Sequence, residues 1–277
     1  MRIVVTGGSG LVGRGIIDLL TNEHDVVNLD IEPRPGAAVE FIRADVRDLA
    51  ALCAAFRGAQ AVVHAAAIPG PALGTEEEIL ETNLDGTRNV ALAATETDVS
   101  RLVFISSESV LGFVFSAGRV HPLYLPIDES HPLAPVDAYG RSKLLAESAL
   151  SKAATDALTV VSLRPPWVWV PEEYDRCREL ALHPEDWCDG LWAYVHRDDL
   201  ARAVERAISR DIPPGFHAVY VAAPDNGTTV PSRTLIERYH PQAEIIGEIS
   251  EYGSLISSEG ARALLGFVPG MSWRDFL

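Results

Sequence analysis

A glycine-rich segment at residues 6–13 constrains the fold of this chain more than any other feature. It follows a β-branched run at residues 2–6 and precedes apolar residues that recur with a helical period up to residue 20. A strand, a tight turn and a helix in this order form a unit that binds a dinucleotide, with the pyrophosphate at the helix N-terminus. Three glycines serve the turn, the approach to the pyrophosphate and the packing of helix on strand: Gly7, Gly10 and Gly13. The segment therefore predicts dinucleotide binding.

Strands and helices continue to alternate as far as residue 163. The predicted strands cover residues 25–30, 39–43, 61–64, 102–106 and 158–163, and the predicted helices cover 49–56, 76–96 and 138–154. Such alternation is typical of an α/β fold with a parallel sheet that is covered on both faces. We expect a doubly wound (Rossmann) sheet with a small C-terminal substrate lobe.

The periodicity loosens after Arg164, where Pro, Trp and charged residues interrupt it. The elements predicted there are a helix at 198–209, a strand at 217–222 and short helices at 232–239 and 258–265. We therefore divide the chain into a dinucleotide-binding core, residues 1–163, and a small substrate-binding lobe, residues 164–277, which is interleaved with the last core elements. The lobe is expected to cover the carboxyl ends of the strands, where open α/β sheets bind ligands.

Composition excludes several classes of partner. The 277 residues carry a formal net charge of -16, which argues against nucleic acid and against an anionic membrane surface. No apolar run reaches the ~18 residues of a membrane span, and the N-terminus does not resemble a signal peptide. Three cysteines without C-x-x-C spacing, Cys53, Cys177 and Cys188, are typical of a reduced, cytoplasmic protein. His183 lies between the last two, but a fourth ligand is missing, so we predict no metal site.

The end of the second predicted strand favours NAD over NADP. Asp30 stands there, 17 residues after Gly13. A carboxylate in this place accepts hydrogen bonds from the adenosine ribose and repels a 2′-phosphate. The alternative for Asp30 is a turn-forming role before Ile31, and the nearby cations Arg14 and Arg34 keep NADP open as a cofactor.

A serine, a tyrosine and a lysine suggest catalysis. Tyr139 and Lys143 are four residues apart, so they lie on one face of a predicted helix, and Ser107 follows an apolar strand. A neighbouring ammonium group lowers the pKa of a phenol and helps it act as a base. We therefore expect Tyr139 to be the base, Lys143 to tune it and Ser107 to hold the reacting oxygen.

With these motifs in place, the chain resembles the extended short-chain dehydrogenase/reductase superfamily, in its NAD-dependent epimerase/dehydratase branch. The matching segments run in the expected order from residue 2 to about residue 210: TGGSGLVG at 6–13, ADVRD at 44–48, HAAA at 64–67, NLDGTRNV at 83–90, FISSESVLG at 104–112, PIDESHPLAPVDAYGRSK at 126–143, LRPP at 163–166 and VHRDDLARA at 195–203. They are specific for the superfamily and uninformative about the substrate.

The resemblance implies roles for further residues. It places Leu11 and Val12, with the three glycines, at the pyrophosphate and Asp30 at the ribose, and it assigns Ser107, Tyr139 and Lys143 as the catalytic triad. Lys143 would also hold the nicotinamide ribose. It also places Asp45 and Val46 beside the adenine, and Pro165 at the start of the loop beside the nicotinamide. The other residues implied to contact or support the cofactor are Ala65, Ala66 and Ala67, on the nicotinamide side, and Asn83, on the helix packed against the active site.

Departures from the family pattern bear on the reaction. Dehydratases carry an Asp-Glu pair after the catalytic Ser or Thr, whereas here Glu108 is followed by Ser109, so elimination is disfavoured. The span from Arg164 to His196 is only about 30 residues, which suggests a smaller substrate than a nucleotide sugar, as in compact uronate dehydrogenases. Ser109 is a candidate substrate contact.

One arginine is a candidate anchor for a substrate carboxylate. Arg176 lies within the short insert, and a guanidinium binds a carboxylate through two hydrogen bonds. The alternative is a surface ion pair with Glu172 or Glu179. The tryptophans of the insert have a similar alternative, since they are more often lobe core than a sugar-stacking surface.

We therefore expect an NAD-dependent oxidoreductase that oxidises a hydroxyl of a small sugar, sugar acid or polyol. One alternative is a nucleotide-sugar 4-epimerase with tightly bound NAD, and another is an NAD-binding regulator without turnover. By analogy with the superfamily, helices 76–96 and 138–154 are expected to form the interface of a homodimer.

Overall fold

The computed structural model describes residues 1–34, 36, 39–118 and 120–276. Its centre is a seven-stranded sheet in which every neighbouring pair of strands is parallel. The seven strands are β1 (Arg2–Thr6), β2 (Asp25–Asp30), β3 (Glu40–Arg43), β4 (Ala61–His64), β5 (Arg101–Ile105), β7 (Thr159–Arg164) and β10 (Phe216–Tyr220). They lie in the order β10-β7-β5-β4-β1-β2-β3. The predicted doubly wound α/β fold is thus confirmed.

Helices cover both faces of the sheet. They are α1 (Leu11–Leu20), α2 (Leu49–Phe56), α3 (Glu76–Ile79), α4 (Gly86–Glu96), α5 (Ala138–Ala153), α6 (Tyr174–Ala181), α7 (Arg197–Ser209), α8 (Ser232–Tyr239) and α9 (Glu259–Leu265). Residues of α1, α7 and α9 pack on one face of the sheet, and residues of α2, α4 and α5 pack on the other. Successive strands are added on one side of β1 as far as β3 and on its other side from β4 onwards, so the strand order reverses between β1 and β4. Ligands of open α/β sheets bind at such a point.

The predicted helix at 76–96 differs from the expectation in its middle. Between α3 and α4, residues Leu80–Asp85 form a π-helical segment. Within it the side chain of Asn83 bonds to groups outside the helix, and Thr87 Oγ1 donates to the Asn83 carbonyl oxygen at 2.5 Å. A π turn adds one residue to the helical repeat and often occurs at functional sites. Here it places the Asn83 side chain within hydrogen-bond distance of Ile68 and Ser142, and the helix continues beyond it.

The structure contains two short strand pairs that the sequence pattern did not reveal. Strand β8 (Trp167–Trp169) pairs with β9 (Tyr194–His196), and β6 (Tyr124–Leu125) pairs with β11 (Glu244–Ile245). These strands are only two or three residues long, so they are too short to produce a period. Two aromatic-rich clusters of buried residues pack around them.

The division of the chain at residue 163 stays a proposal. In its favour, the short strand pairs and α6 and α8 lie outside the seven-stranded sheet. Both α7 and β10 belong to the layers of the core, which is the interleaving that we expected. Leu277, the last residue of the lobe, is outside the described residues. Among the helices that the structure describes, none is both long enough and apolar enough to cross a membrane.

Candidate active site

The glycine-rich turn joins β1 to α1 at the carboxyl edge of the sheet. Gly7 has φ +72°, and a Cβ there would lie 2.4 Å from the backbone nitrogen of Ala66. A Cβ on Gly13 would lie 2.2 Å from the carbonyl oxygen of Gly7. Both positions therefore require glycine. Gly10 caps α1 without a side-chain hydrogen bond, so the first N–H groups of the helix remain available to an anion.

Asp30 lies beside this turn at the end of β2. Its Oδ2 accepts a hydrogen bond from the Ser9 backbone at 3.0 Å, and its Oδ1 accepts one from Ile31 at 2.7 Å. The turn-forming role and the position next to the nucleotide site thus occur together. Of the two cations that kept NADP open, Arg34 is bound to Asp18 on α1 at 2.6 Å, and Arg14 donates to the Ser9 carbonyl oxygen at 2.8 Å.

The three alanines after β4 form a wall beside the turn. Ala65 and Ala67 line the main cavity, and the backbone of Ala66 is the group that excludes a side chain at Gly7. Asn83 lies behind this wall and is 1% exposed. It accepts from the Ile68 backbone at 2.8 Å and donates to Ser142 Oγ at 3.0 Å. Asn83 thus holds the wall against α5, and its direct contact with a cofactor stays a prediction.

Asp45 and Val46 follow β3, away from the cavity lining. Arg47 hydrogen-bonds the carboxylate of Asp45 at 2.7 Å and lowers its pKa. Val46 is buried, and its side chain occupies the space that a Cβ on Gly86 would need. Their predicted place beside the adenine is compatible with the strand end, and contact with a nucleotide stays a prediction.

Ser107, Tyr139 and Lys143 meet in one cavity. Ser107 follows β5, and Tyr139 and Lys143 lie in the first two turns of α5, whose N-terminus is capped by Asp137. The Ser107 hydroxyl donates to Ser109 Oγ at 3.0 Å and lies beside the Tyr139 side chain, and the Lys143 ammonium group is 5.7 Å from the centre of the Tyr139 ring. Lys143 Nζ donates to the carbonyl oxygen of Ile105 at 2.8 Å.

The expected effect of Lys143 on Tyr139 is not what sets the tyrosine pKa. Burial raises the pKa of Tyr139 to about 12, and the Ser107 hydroxyl beside it opposes this rise. Burial also lowers the pKa of Lys143 to about 7, while the nearby carboxylate of Glu147 acts to raise it. Desolvation thus disfavours the charged form of both groups. The expected roles of Tyr139 as base and of Lys143 in tuning it stay predictions.

The cavity that contains these residues has a volume of about 800 Å³. One end is formed by the glycine-rich turn with Leu11 and Val12, and Pro165 lies at the side. The other end is formed by the segment after Ser107 and by the short insert. Its side chains there include Glu108, Ser109, Phe115, Trp167, Arg176, Trp187 and Asp189. The cavity has the volume of a small-molecule site, about 300–1,000 Å³.

Arg176 lies at the mouth of the cavity. It is exposed on α6, and its guanidinium stands 5.6 Å from the centre of the Trp167 ring. Glu172 pairs instead with Arg197, and no ion pair between Arg176 and Glu179 occurs among the described residues. The described residues thus contain no ion pair of Arg176 with Glu172 or Glu179, and its role as carboxylate anchor stays a prediction.

Sequence reasoning missed part of the substrate end. Glu108 was considered only as half of a broken acid pair, yet it is 7% exposed and lines the cavity. Trp167 and Trp187 also line it, although we expected tryptophans to be lobe core. A polar residue next to a strand-end serine was a usable signal for Glu108. The tryptophans offered none, because their placement depends on β8 and its partner strand.

The cysteines were not expected to bind metal. Cys177 and Cys188 are both buried, and Cys188 contacts the Glu185 carbonyl oxygen at 3.7 Å. Within the described ranges, no three His, Cys, Asp or Glu side chains are grouped so that they could hold a metal ion.

Comparison with known proteins agrees with the geometry. The family model described as the NAD dependent epimerase/dehydratase family matches residues 3–179. An L-arabinose 1-dehydrogenase (NAD(P)(+)) from Haloferax volcanii is 33% identical over 219 residues, which cover 76% of this chain and 84% of that protein.

Two solved structures share the fold over 99% of this chain. One is MoeE5 in complex with UDP-glucuronic acid and NAD, at 24% identity, 96% coverage of that chain and a TM-score of 0.75. The other is a mutated uronate dehydrogenase, at 22% identity, 83% coverage and a TM-score of 0.71. The family match extends over most of the sheet and the whole Ser107, Tyr139 and Lys143 set. This chain therefore belongs to the NAD dependent epimerase/dehydratase family and is an enzyme of the short-chain dehydrogenase/reductase superfamily.

Proposed function

We propose that this enzyme oxidises a hydroxyl group of a small sugar, with NAD as the acceptor. The observation that carries the proposal is the single cavity that joins the glycine-rich turn to Ser107, Tyr139 and Lys143. An L-arabinose 1-dehydrogenase matches more than three quarters of this chain. This similarity supports the oxidation of a sugar.

The residues at the glycine end fit NAD. Gly7 and Gly13 leave no room for side chains, so a diphosphate can approach the backbone N–H groups at the start of α1. Asp30, next to the turn, favours a free ribose over a 2′-phosphate. When bound, NAD supplies the acceptor for the hydride that leaves the substrate carbon, and its positive charge favours an ionised tyrosine.

Tyr139 is the proposed base. The substrate O–H bond gives its proton to the phenolate, while the C–H bond on the same carbon breaks and its electron pair leaves with the hydrogen. The products are a carbonyl compound, or a lactone if the hydroxyl is hemiacetal, and reduced cofactor. Ser107 and Tyr139 line the same cavity, so the Ser107 hydroxyl can hold the substrate oxygen while Tyr139 accepts its proton.

Cavity size favours a small sugar over a nucleotide sugar. A volume of about 800 Å³ has to accept part of a dinucleotide as well as the substrate. The insert that closes it contributes one exposed arginine at the mouth, Arg176, whereas two phosphates call for several cations.

The test is an incubation of the enzyme with NAD and separate neutral aldoses, uronates, polyols and UDP-sugars. A dehydrogenase accumulates NADH in solution with one of the small substrates. A 4-epimerase converts a UDP-sugar without net NADH, and a regulator binds NAD without either change. Either of the last two results contradicts the proposal.

We also propose a homodimer that forms through α4 and α5. Leu92 on α4 is 45% exposed and Leu145 on α5 is 46% exposed, and the two helices lie side by side. Burying such apolar side chains favours association. Light scattering after size-exclusion chromatography should give twice the chain mass, and a monomer that keeps full activity would contradict the interface.

A further inference from the structure

A buried carboxyl group stands in the wall of the active-site cavity. Glu108 lies between Ser107 and Ser109, and its residue exposure is 7%. Its backbone N–H donates to the carbonyl oxygen of Pro165 at 2.9 Å, which ties the segment to the loop that follows β7. The Glu108 side chain lines the cavity. Its position is therefore fixed, and it faces the space that a substrate must occupy.

This carboxyl group has no partner in the described part of the chain. No hydrogen bond or ion pair of the described residues reaches its oxygens, and Gly190, which faces Oε1, contributes no side chain. Glu147, also buried, is different: it accepts from Arg164 at 2.7 Å and 2.9 Å and from Ser162 at 2.8 Å. A buried polar group without a partner is costly, so it persists where a ligand supplies the partner.

The environment of Glu108 is unsuited to an anion. Burial alone raises its pKa well above the ordinary value of a glutamic acid. Its charge also raises the pKa of Tyr139, so the two side chains interact across the cavity. Three further acids line the same cavity, namely Glu173, Asp186 and Asp189.

The two cations of the cavity lie elsewhere. Lys143 is bound to the backbone of Ile105, and Arg176 is exposed at the mouth over Trp167. A substrate carboxylate in this end of the cavity would share it with Glu108 and the three other acids. A hydroxyl group can instead donate to a carboxylate or accept from a protonated carboxyl, so it suits both states of Glu108.

We propose that Glu108 recognises the substrate by binding its hydroxyl groups, and that it restricts the enzyme to neutral aldoses and excludes sugar acids. This inference rests on the proposed function, and it names the class of sugar. It also replaces the carboxylate-anchor role of Arg176, since an acidic substrate is no longer expected.

The test compares galactose with galacturonate and glucose with glucuronate, which differ only in the oxidation of one terminal carbon. We expect the unmodified enzyme to have at least a tenfold higher kcat/KM with the neutral sugar of one pair. Glu108→Gln should lower kcat/KM for that aldose by about 10-fold, as expected for the loss of one hydrogen bond to the substrate. The aldose-to-uronate ratio should fall with it, because the repulsion of the uronate is removed.

A stability measurement separates recognition from a structural role. If only the substrate provides a partner for Glu108, the Glu108→Gln substitution removes a buried acid that destabilises the free enzyme. The variant should then melt at the same or a higher temperature than the unmodified enzyme. Glu147→Gln is the matched comparison, because it breaks a buried ion pair, and it should melt at a lower temperature. Glu179→Gln, on the same helix as Arg176 but outside the cavity, should leave both the melting temperature and the aldose-to-uronate ratio unchanged.

Three results would overturn the proposal. One is a preference of the unmodified enzyme for uronates, and another is an unchanged aldose-to-uronate ratio in Glu108→Gln. The last is unfolding of Glu108→Gln, which would mean that the carboxylate has a structural partner. Absence of NADH with every sugar and sugar acid would instead be a failure of the proposed function, and it is read in the same assay.

Discussion

The two ends of the active-site cavity are built in different ways. At the glycine end, backbone and small side chains from β1, α1 and the segment after β4 form the surface, and the key positions are those that cannot carry a side chain. At the substrate end, side chains from the segment after Ser107 and from the short insert form the surface, and several of them are acidic or aromatic. The shape of the cofactor end thus depends on positions that have no side chain, and the shape of the substrate end depends on the side chains that line it.

This difference explains why related enzymes can share a cofactor and differ in substrate. A diphosphate bound by backbone N–H groups requires a turn of one shape, so few residue types are possible there. The substrate end has no such backbone requirement, so we expect a change such as Glu108→Gln to leave the fold intact. Tyr139 lies between the two ends, and turnover there requires both a bound cofactor and a bound substrate.

The largest expected effect is at this meeting point. Tyr139→Phe removes the proton acceptor and nothing else, so we expect turnover to fall by about 10²- to 10⁴-fold. Binding of NAD, measured by calorimetry, should change little because the glycine end is untouched. A variant that keeps most of its activity on a substrate found in the panel would mean that another group is the base.

The next largest effect is expected at the glycine end. A Cβ on Gly13 would lie 2.2 Å from the Gly7 carbonyl oxygen, so Gly13→Ala must displace the turn. We expect a loss of about 1–3 kcal/mol in the free energy of unfolding, as for overpacked sites, with a weaker affinity for NAD. Gly118→Ala is the control, because a Cβ there meets nothing within 4 Å. Equal behaviour of the two variants in denaturant titrations would contradict the geometry of the turn.

Cofactor choice should respond more modestly. Asp30 lies beside the turn with its carboxylate bonded to the Ser9 backbone, and it disfavours a 2′-phosphate. Asp30→Ala should lower the preference for NAD over NADP by about tenfold, or about 1.4 kcal/mol. Dissociation constants for both cofactors provide the test. If the unmodified enzyme already binds NADP as well as NAD, the role of Asp30 is wrong.

Protonation of Lys143 affects stability in the absence of cofactor. Its pKa is lowered to about 7 in the folded chain from an ordinary 10.5, so the unfolded chain binds more protons between these values. Stability should therefore rise as pH increases from about 7 towards 10. Lys143→Met should lack this rise. Urea unfolding of both proteins at pH 7 and pH 9, without NAD, measures it, and identical slopes would contradict the lowered pKa.

Prediction from sequence was successful where backbone geometry restricts residue type. The strand, turn and helix around Gly7 and Gly13 were predictable because only glycine satisfies both contacts. The sheet was predictable because its buried strands are continuous apolar runs. Tyr139 and Lys143 were predictable as a pair because helical spacing alone puts them on one face.

The substrate end was less predictable, for two physical reasons. Its walls come from segments about 60 residues apart in sequence, near Glu108 and near Trp167, and β8 and β9 that bring the second segment into place are three residues long. The pKa values there depend on burial, which the spacing of Tyr139 and Lys143 does not contain. A π turn at Asn83 was invisible for a related reason, since its sequence has an ordinary helical pattern.

A crystal structure of the protein with NAD would show whether the two ends of the cavity form one site. We predict that the pyrophosphate lies on the backbone N–H groups at the start of α1, with the adenosine ribose next to Asp30. We also predict the nicotinamide ring beside Tyr139, Lys143 and Pro165, with open space between the ring and Glu108. A nicotinamide ring outside this cavity, or a dinucleotide that leaves the Gly7–Gly13 turn uncontacted, would contradict the account.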